Sequence, residues 1–326
     1  MVRRGCRRYI SFLLVMVMVI AMTVLTSCAS RQATDVTEYM QEAYDTSVKT
    51  SDLYASKLCV LTDKSEAKDE PIDSVAKYAL FDLDGSKTVT WHQAAEQLYP
   101  ASTTKLMTAL VALRSGRLDE MVTVRRHAIE DLEEGSSVCG LKVGDQLSLR
   151  DLLYGLTLES GNDAAVVIAE FLGGGSETDF VTMMNEEAQA VGATNSHFKN
   201  PHGLHDADHY TTVYDLYLIF TECLKYDEFK TIIESKGYNT SAKASDGSMR
   251  SINWEPTNYY AQGEAEAPTN IKIIGGKTGT TNEAGCCLVL LNSNKDEEPY
   301  ISIVMGASDK KLLYADMNEL MEMENN

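Results

Sequence analysis

Ser102 and Lys105 stand at the mouth of an apolar stretch that reads YPASTTKLMTALV. On a helix, residues at that spacing are neighbours, so a hydroxyl and an amine would share one face. A serine hydroxyl attacks poorly until a base takes its proton, and a lysine amine can be that base only when neutral. Burial in an apolar helix supplies the condition, because an ammonium taken out of water gives up its proton more readily. A serine in the first turn also sits beside free backbone N–H groups, which favour negative charge developing on a bound carbonyl oxygen. The spacing alone says little: Ser65/Lys68, Ser74/Lys77, Ser196/Lys199 and Ser308/Lys311 share it without that setting.

Two further clusters follow. Ser160-Gly161-Asn162 falls between two helical patterns, offering a hydroxyl to relay a proton and an amide to hold Lys105 or a substrate carbonyl. Ser251 and Asn253 repeat the spacing but lack the flanks LTLE and DAA. Lys277-Thr278-Gly279-Thr280 occurs once, in the strand-like run IIGGKTGTT. Glycines there permit close backbone approach, while the lysine and threonines offer donors for a carboxylate. Ser-x-x-Lys, Ser-x-Asn and Lys-Thr-Gly, in that order on a helix, a loop and a strand, make a signal stronger than its parts.

The elements that must position them can be read from periodicity. Lys57–Thr62 and Lys77–Asp82 read as strands separated by the charged loop KSEAKDEPIDS, and Asp82-Leu83-Asp84-Gly85 turns the chain into Lys87–Trp91. From Ser102 helices take over: Leu106, Leu110 and Leu113 recur on one face until Gly116. Ser148 with Asp151 opens another helix, Ala164–Leu172 continues after Asn162, and Ser176 with Asp179 caps the next. Strands return with IKIIGGKTG, CCLVLLN and PYISIVMG, before a last helix from about Ser308. The expected fold class is α+β, an antiparallel sheet assembled from both chain ends with a helical cluster between them.

The N-terminus is expected to lie outside the fold. Arg3, Arg4, Arg7 and Arg8 precede an uncharged run from Tyr9 to Ser30, the layout of an export signal, and Leu25-Thr26-Ser27-Cys28 resembles a lipobox. Residues 1–27 are read as a lipoprotein signal peptide, Cys28 as the lipidated residue, 28–56 as a polar stalk and 57–326 as the catalytic domain. The alternative is an uncleaved N-terminal helix anchor. The chain carries a net charge of −19, and loss of the four arginines would take the body to −23, which argues against nucleic acid as a partner. Of seven cysteines, five lie beyond Cys28, and an odd number with Cys286-Cys287 adjacent in an apolar run predicts no disulfide framework.

Through YPASTTKLMTAL, LYGLTLESGNDAA, FKNPHGLHDADHYTTVYDL and GGKTGTTNEAGCCLVL, about Lys77 to Gly306, the chain resembles the serine D-alanyl-D-alanine carboxypeptidases, the low-molecular-mass penicillin-binding proteins. The resemblance implies a penicillin-binding-protein fold, peptidoglycan pentapeptide stems as substrate, β-lactams as covalent inhibitors and no cofactor or metal. Ser102 would be acylated by the penultimate D-alanine, Lys105 would be its base, and Ser160 would pass the proton to the leaving amine. Asn162 would position the substrate amide, Lys277, Thr278 and Thr280 beside Gly279 would hold the terminal carboxylate, and the N–H groups of Ser102 and Thr280 would form the oxyanion hole. Lys277 would stay protonated beside a neutral Lys105. Many relatives continue into a β-rich domain and an amphipathic anchor; this length leaves no room for them, and an N-terminal lipid would hold the enzyme on the extracytoplasmic face of the membrane.

Three rivals keep their own signatures. A class A β-lactamase shares the motifs but needs a Glu-x-x-x-Asn element for its deacylating water, and the glutamates from Glu170 to Glu266 are read as supplying none. A metal site would draw on His202, His205, Asp206, Asp208 and His209, whose spacing suits a loop better than a ligand-bearing helix. A non-catalytic peptidoglycan-binding lipoprotein would keep the fold without the chemistry. Leu98, Tyr99, Pro100, Tyr154 and Tyr210 are candidates for shaping the cleft.

Overall fold

Gly285–Ser293, an uncharged run GCCLVLLNS, forms a strand buried on both faces, and the fold is layered around it. The computed structural model describes residues 57–67, Ile72 and 76–325, which belong to one compact unit, Lys57–Asn326. In chain order come β1 (Lys77–Asp82), β2 (Lys87–His92), a 3-10 turn (Ala101–Thr104), α1 (Lys105–Arg114), β3 (Met121–Thr123), α2 (His127–Glu130), β4 (Gln146–Ser148) and α3 (Leu149–Thr157). Then follow α4 (Asn162–Leu172), α5 (Glu177–Ala190), α6 (Val213–Cys223), α7 (Asp227–Glu234), β5 (Tyr238–Lys243), β6 (Met249–Trp254) and α8 (Tyr259–Gln262). The last elements are β7 (Lys272–Thr281), β8 (Gly285–Ser293), β9 (Pro299–Ala307) and α9 (Lys310–Glu322).

The main sheet is antiparallel with order β2-β1-β9-β8-β7, so the first strands meet the last ones, Ala79 opposite Ile303. This is the α+β class read from the sequence. Side chains alternate across the sheet as the pleat requires. Cys287, Val289 and Leu291 face the helical cluster, while Cys286, Leu288 and Leu290 meet Leu313, Met317 and Leu320 of α9. Each such leucine or valine contributes about 1.5–3 kcal/mol by leaving water. Strand β7 pairs with β8 alone and is the edge strand of this sheet.

Helix α1 is the hub. The sequence predicts one apolar face, but every residue from Lys105 to Leu113 is buried, because neighbouring helices surround it. Ser148 and Asp151 make a full capping box at α3, and Ser176 caps α5 through the Asp179 N–H, as their spacing predicts.

Two readings need correction. Lys57–Thr62 is not a strand: the Cys59 N–H donates to Tyr217 Oη at 2.8 Å and its carbonyl accepts from Tyr214 Oη at 2.8 Å, so tyrosines of α6 satisfy groups that a ladder would otherwise use. The helical middle also contains a second sheet, order β3-β4-β5-β6. Residues 1–56, with the proposed signal, Cys28 and stalk, lie outside the described residues, as does much of the loop KSEAKDEPIDS. Among the described residues no helix is long and apolar enough to cross a membrane. Cys59, Cys139, Cys223, Cys286 and Cys287 are buried free thiols.

Candidate active site

Ser102 sits in the 3-10 turn that leads into α1, after Ala101, which is held at φ 48°. That left-handed conformation costs an alanine roughly 1–3 kcal/mol and persists because the surroundings fix it. Gly203 fits against the turn: a Cβ there would lie 1.9 Å from the Ala101 carbonyl oxygen. Gly279 meets it from the other side, where a Cβ would stand 2.9 Å from the Ser102 nitrogen and 3.0 Å from that of Thr103. The glycine of Lys-Thr-Gly is therefore what lets β7 run alongside the serine's backbone.

Lys105, 1% exposed, places its amine 2.9 Å from Ser102 Oγ, 2.7 Å from Asn162 Oδ1 and 2.7 Å from the His202 carbonyl oxygen. Burial first, and then the Lys277 ammonium, lower its pKa well below the ordinary lysine value. Asn162 opens α4, and its N–H donates to the Ser137 carbonyl at 2.8 Å. Asp163, absent from the sequence reading as more than a flank, accepts from the N–H groups of Cys139, Leu141 and Ala164, and so pins the segment that carries Ser137 against α4. Gly161 is required by the same packing, since a Cβ would fall 2.8 Å from Cys139 Sγ.

Ser160, in a left-handed conformation at φ 57°, accepts from Lys277 Nζ at 2.9 Å, and that amine also donates to the Thr278 carbonyl at 2.8 Å. Burial lowers the Lys277 pKa to about 7, so its proton is not fixed at neutral pH as the sequence reading expects. Thr257 and Thr278 share a 2.7 Å hydroxyl contact, and the Thr257 N–H donates to the Leu158 carbonyl, fastening the segment before α8 to the Ser160 loop.

Ser102, Ser160, Thr278, Gly279 and Thr280 thus line one cavity of about 290 Å³. Sequence reasoning missed part of its wall: Ser137, Thr257, Tyr259 and Lys310 carry no motif and come together only through the fold. Cys287 also lines it, but burial pushes that thiol up to about 12, leaving it protonated at neutral pH.

The histidine-rich segment is tied to the turn that carries Ser102 and to α1. Among the described residues no group of three or more His, Cys, Asp or Glu is placed to hold an ion. Burial lowers His202 to about 3 and His209 to about 4. Neutral His209 contacts Thr104 Oγ1 at 2.8 Å, and the Thr108 hydroxyl bonds the Pro201 carbonyl. Leu98, Tyr99, Pro100, Tyr154 and Tyr210 do not line the cavity; Tyr154 stacks on Tyr238 at 3.7 Å. A Glu-x-x-x-Asn spacing does occur at Glu266 and Asn270, a match the sequence reading passes over, but both residues are exposed and neither lines the cavity.

Residues 63–309 match the D-alanyl-D-alanine carboxypeptidase family model. The chain belongs to that family. A family member from Bacillus subtilis, D-alanyl-D-alanine carboxypeptidase DacF, is 32% identical over 248 residues, 74% of this chain and 60% of that protein. The chain thus spans about three fifths of that relative's length. The Streptomyces sp. D-alanyl-D-alanine carboxypeptidase is 30% identical over 86% of this chain and 97% of its own length. Among solved structures, the Streptomyces K15 DD-transpeptidase superposes with a TM-score of 0.72 at 30% identity, covering 78% of this chain and 97% of that one. The carboxypeptidase from Mycobacterium tuberculosis gives 0.66 at 27% identity, over 76% and 89% of the two chains. This family's fold is the one the motifs pointed to.

Proposed function

We propose that the protein is a serine D-alanyl-D-alanine carboxypeptidase that removes the terminal D-alanine of peptidoglycan stem peptides through an acyl-enzyme at Ser102, and that β-lactams inhibit it covalently. The observation that carries this reading is the set of three contacts at Lys105. A neutral amine has two N–H donors and one lone pair. Asn162 Oδ1 and the His202 carbonyl can only accept, so they take both donors, and the lone pair is left for the Ser102 hydroxyl proton.

The geometry supports the following sequence of events. Lys105 takes the Ser102 proton as Oγ bonds to the penultimate carbonyl, whose oxygen is stabilised by the N–H groups of Ser102 and Thr280. Ser160 carries the proton to the leaving amine. Lys277, with one donor left beyond Ser160 and the Thr278 carbonyl, joins the threonine hydroxyls on the terminal carboxylate. A bound carboxylate raises the Lys277 pKa again and so favours its charged form. Water then frees the ester. The test is release of D-alanine from a D-Ala-D-Ala peptide by the purified protein; activity that survives Ser102→Ala refutes the assignment.

For location, residues 1–27 are assigned as a signal peptide cleaved before a lipidated Cys28, 28–56 as the stalk and 57–326 as the enzyme. The four arginines, the apolar run and the small residues before Cys28 support this reading. The lipid would hold the catalytic body on the extracytoplasmic face, within reach of the wall.

A further inference from the structure

The cavity does not stop at the residues that the reaction needs. Beyond Thr278 and Thr280 it continues to Tyr259, Leu313, Tyr314 and Lys310. This end is built in advance: the Tyr259 N–H donates to Tyr314 Oη at 2.8 Å, the two rings stack at 4.9 Å, and Asn258 Oδ1 accepts from Tyr314 Oη at 3.4 Å. Lys310 is held over the Tyr259 ring, Nζ to centroid 4.8 Å, and makes no ion pair among the described residues. An exposed ammonium parked on an aromatic face at a cavity mouth is a cation without an anion.

The side of the scissile bond is fixed by Thr278. In the carboxypeptidase reading, on which this inference rests, the carboxylate it holds belongs to the leaving residue. Thr278 Oγ1 contacts Thr257, two positions before Tyr259, so the wall begins where the leaving residue ends. Asn162 and the His202 loop, which hold Lys105, are not among the residues that line the cavity.

We propose that this end of the cavity is a leaving-group subsite for a D-residue with an extended, anionic side chain, and that Lys310 is its specificity-determining residue. The chemistry of the step is unchanged. Ser102 Oγ bonds to the D-alanyl carbonyl carbon, the C–N bond to the leaving D-residue breaks, and the leaving amine receives the serine proton. Water then adds to the ester, giving its hydroxyl to the acyl carbon and its remaining proton to Ser102. The side chain of the departing residue lies between the two tyrosines and the aliphatic Leu313, and its terminal anion meets Lys310.

The test is a series of acylated peptides ending in D-Ala-D-Ala, D-Ala-D-Glu and D-Ala-D-Lys, with kcat/KM measured for each. The expected D-Glu over D-Lys preference is roughly tenfold, because one pairing with Lys310 attracts and the other repels. Lys310→Met brings the ratio towards one and Lys310→Glu inverts it, whereas Lys311→Met leaves it alone. Hydrolysis of D-Ala-D-Ala with rejection of both longer residues, or a ratio that ignores both Lys310 variants, overturns the subsite and leaves the carboxypeptidase reading standing. A folded protein that cleaves none of the peptides and takes no penicillin refutes both.

Discussion

Lys105 Nζ and Asn162 Oδ1 lie 2.7 Å apart although 57 positions separate them in the chain, and this contact turns a buried amine towards a serine. The amide oxygen accepts and never donates to it, so one N–H of Lys105 is spoken for. Asn162→Ala removes that acceptor and lets the amine rotate. Acylation by penicillin is expected to fall on the order of a hundredfold, the scale on which a mispositioned base fails. Stopped-flow acylation rates check it, and a rate near that of the wild type would remove Asn162 from this role.

The two lysines give the reaction its pH profile. Lys105 must lose its proton for attack, so kcat/KM falls towards acid. Burial lowers Lys277 to about 7, so carboxylate binding weakens above that pH and the profile is a bell. Lys277→Arg keeps its charge in alkali and moves the upper limb to higher pH, with a lower plateau from the broader guanidinium. A profile measured between about pH 5 and 10 whose upper limb does not respond to this variant contradicts the assignment.

The same lysine links pH to folding. Unfolded lysine binds a proton up to about pH 10.4, while folded Lys277 gives it up near 7. Across that window the unfolded state holds more protons, so stability rises with pH. Lys277→Met removes this group from the linkage and should flatten the slope seen in urea unfolding, whatever its effect on stability at any one pH.

Gly279→Ala tests the close approach of β7. Its Cβ would press on the Ser102 and Thr103 nitrogens, so the strand must retreat at a cost of about 1–3 kcal/mol. Penicillin labelling is expected to drop steeply while circular dichroism keeps the native signature. Full labelling in this variant would mean that the strand need not touch the turn.

The motifs were legible because each combines residue types that chemistry needs with a local element that periodicity reveals. Ser102 and Lys105 share a helical face, and Lys277 to Thr280 lie on a strand flanked by glycines. Strand β8 was legible as an apolar run too, whereas its burial on both faces is set by the helices packed on either side of the sheet. The hairpin Tyr238–Trp254 was missed because its strands are polar and half exposed, yet Ser245-Asp246-Gly247-Ser248, with Gly247 at φ 84°, is a turn signal that could have exposed it. The His202 carbonyl and the Ser137 segment were not legible at all. A backbone oxygen has no residue type, and Asp163 reaches Cys139 and Leu141 through a loop whose path the sequence does not state.

At the other end of the chain, Cys28→Ser is expected to block lipid attachment and release the body or stall its processing. Metabolic labelling with a fatty acid reads it. A membrane form that still begins at Met1 in the wild type would replace the lipid by an uncleaved anchor.

The central claim is that Ser102, activated by Lys105, is the nucleophile. Its most direct measurement is the mass of the protein after brief exposure to benzylpenicillin, followed by peptide mapping of the adduct. One penicilloyl group on Ser102, absent in Ser102→Ala and almost absent in Lys105→Arg, is the predicted result; an adduct on another residue, or none on the folded wild type, would contradict it.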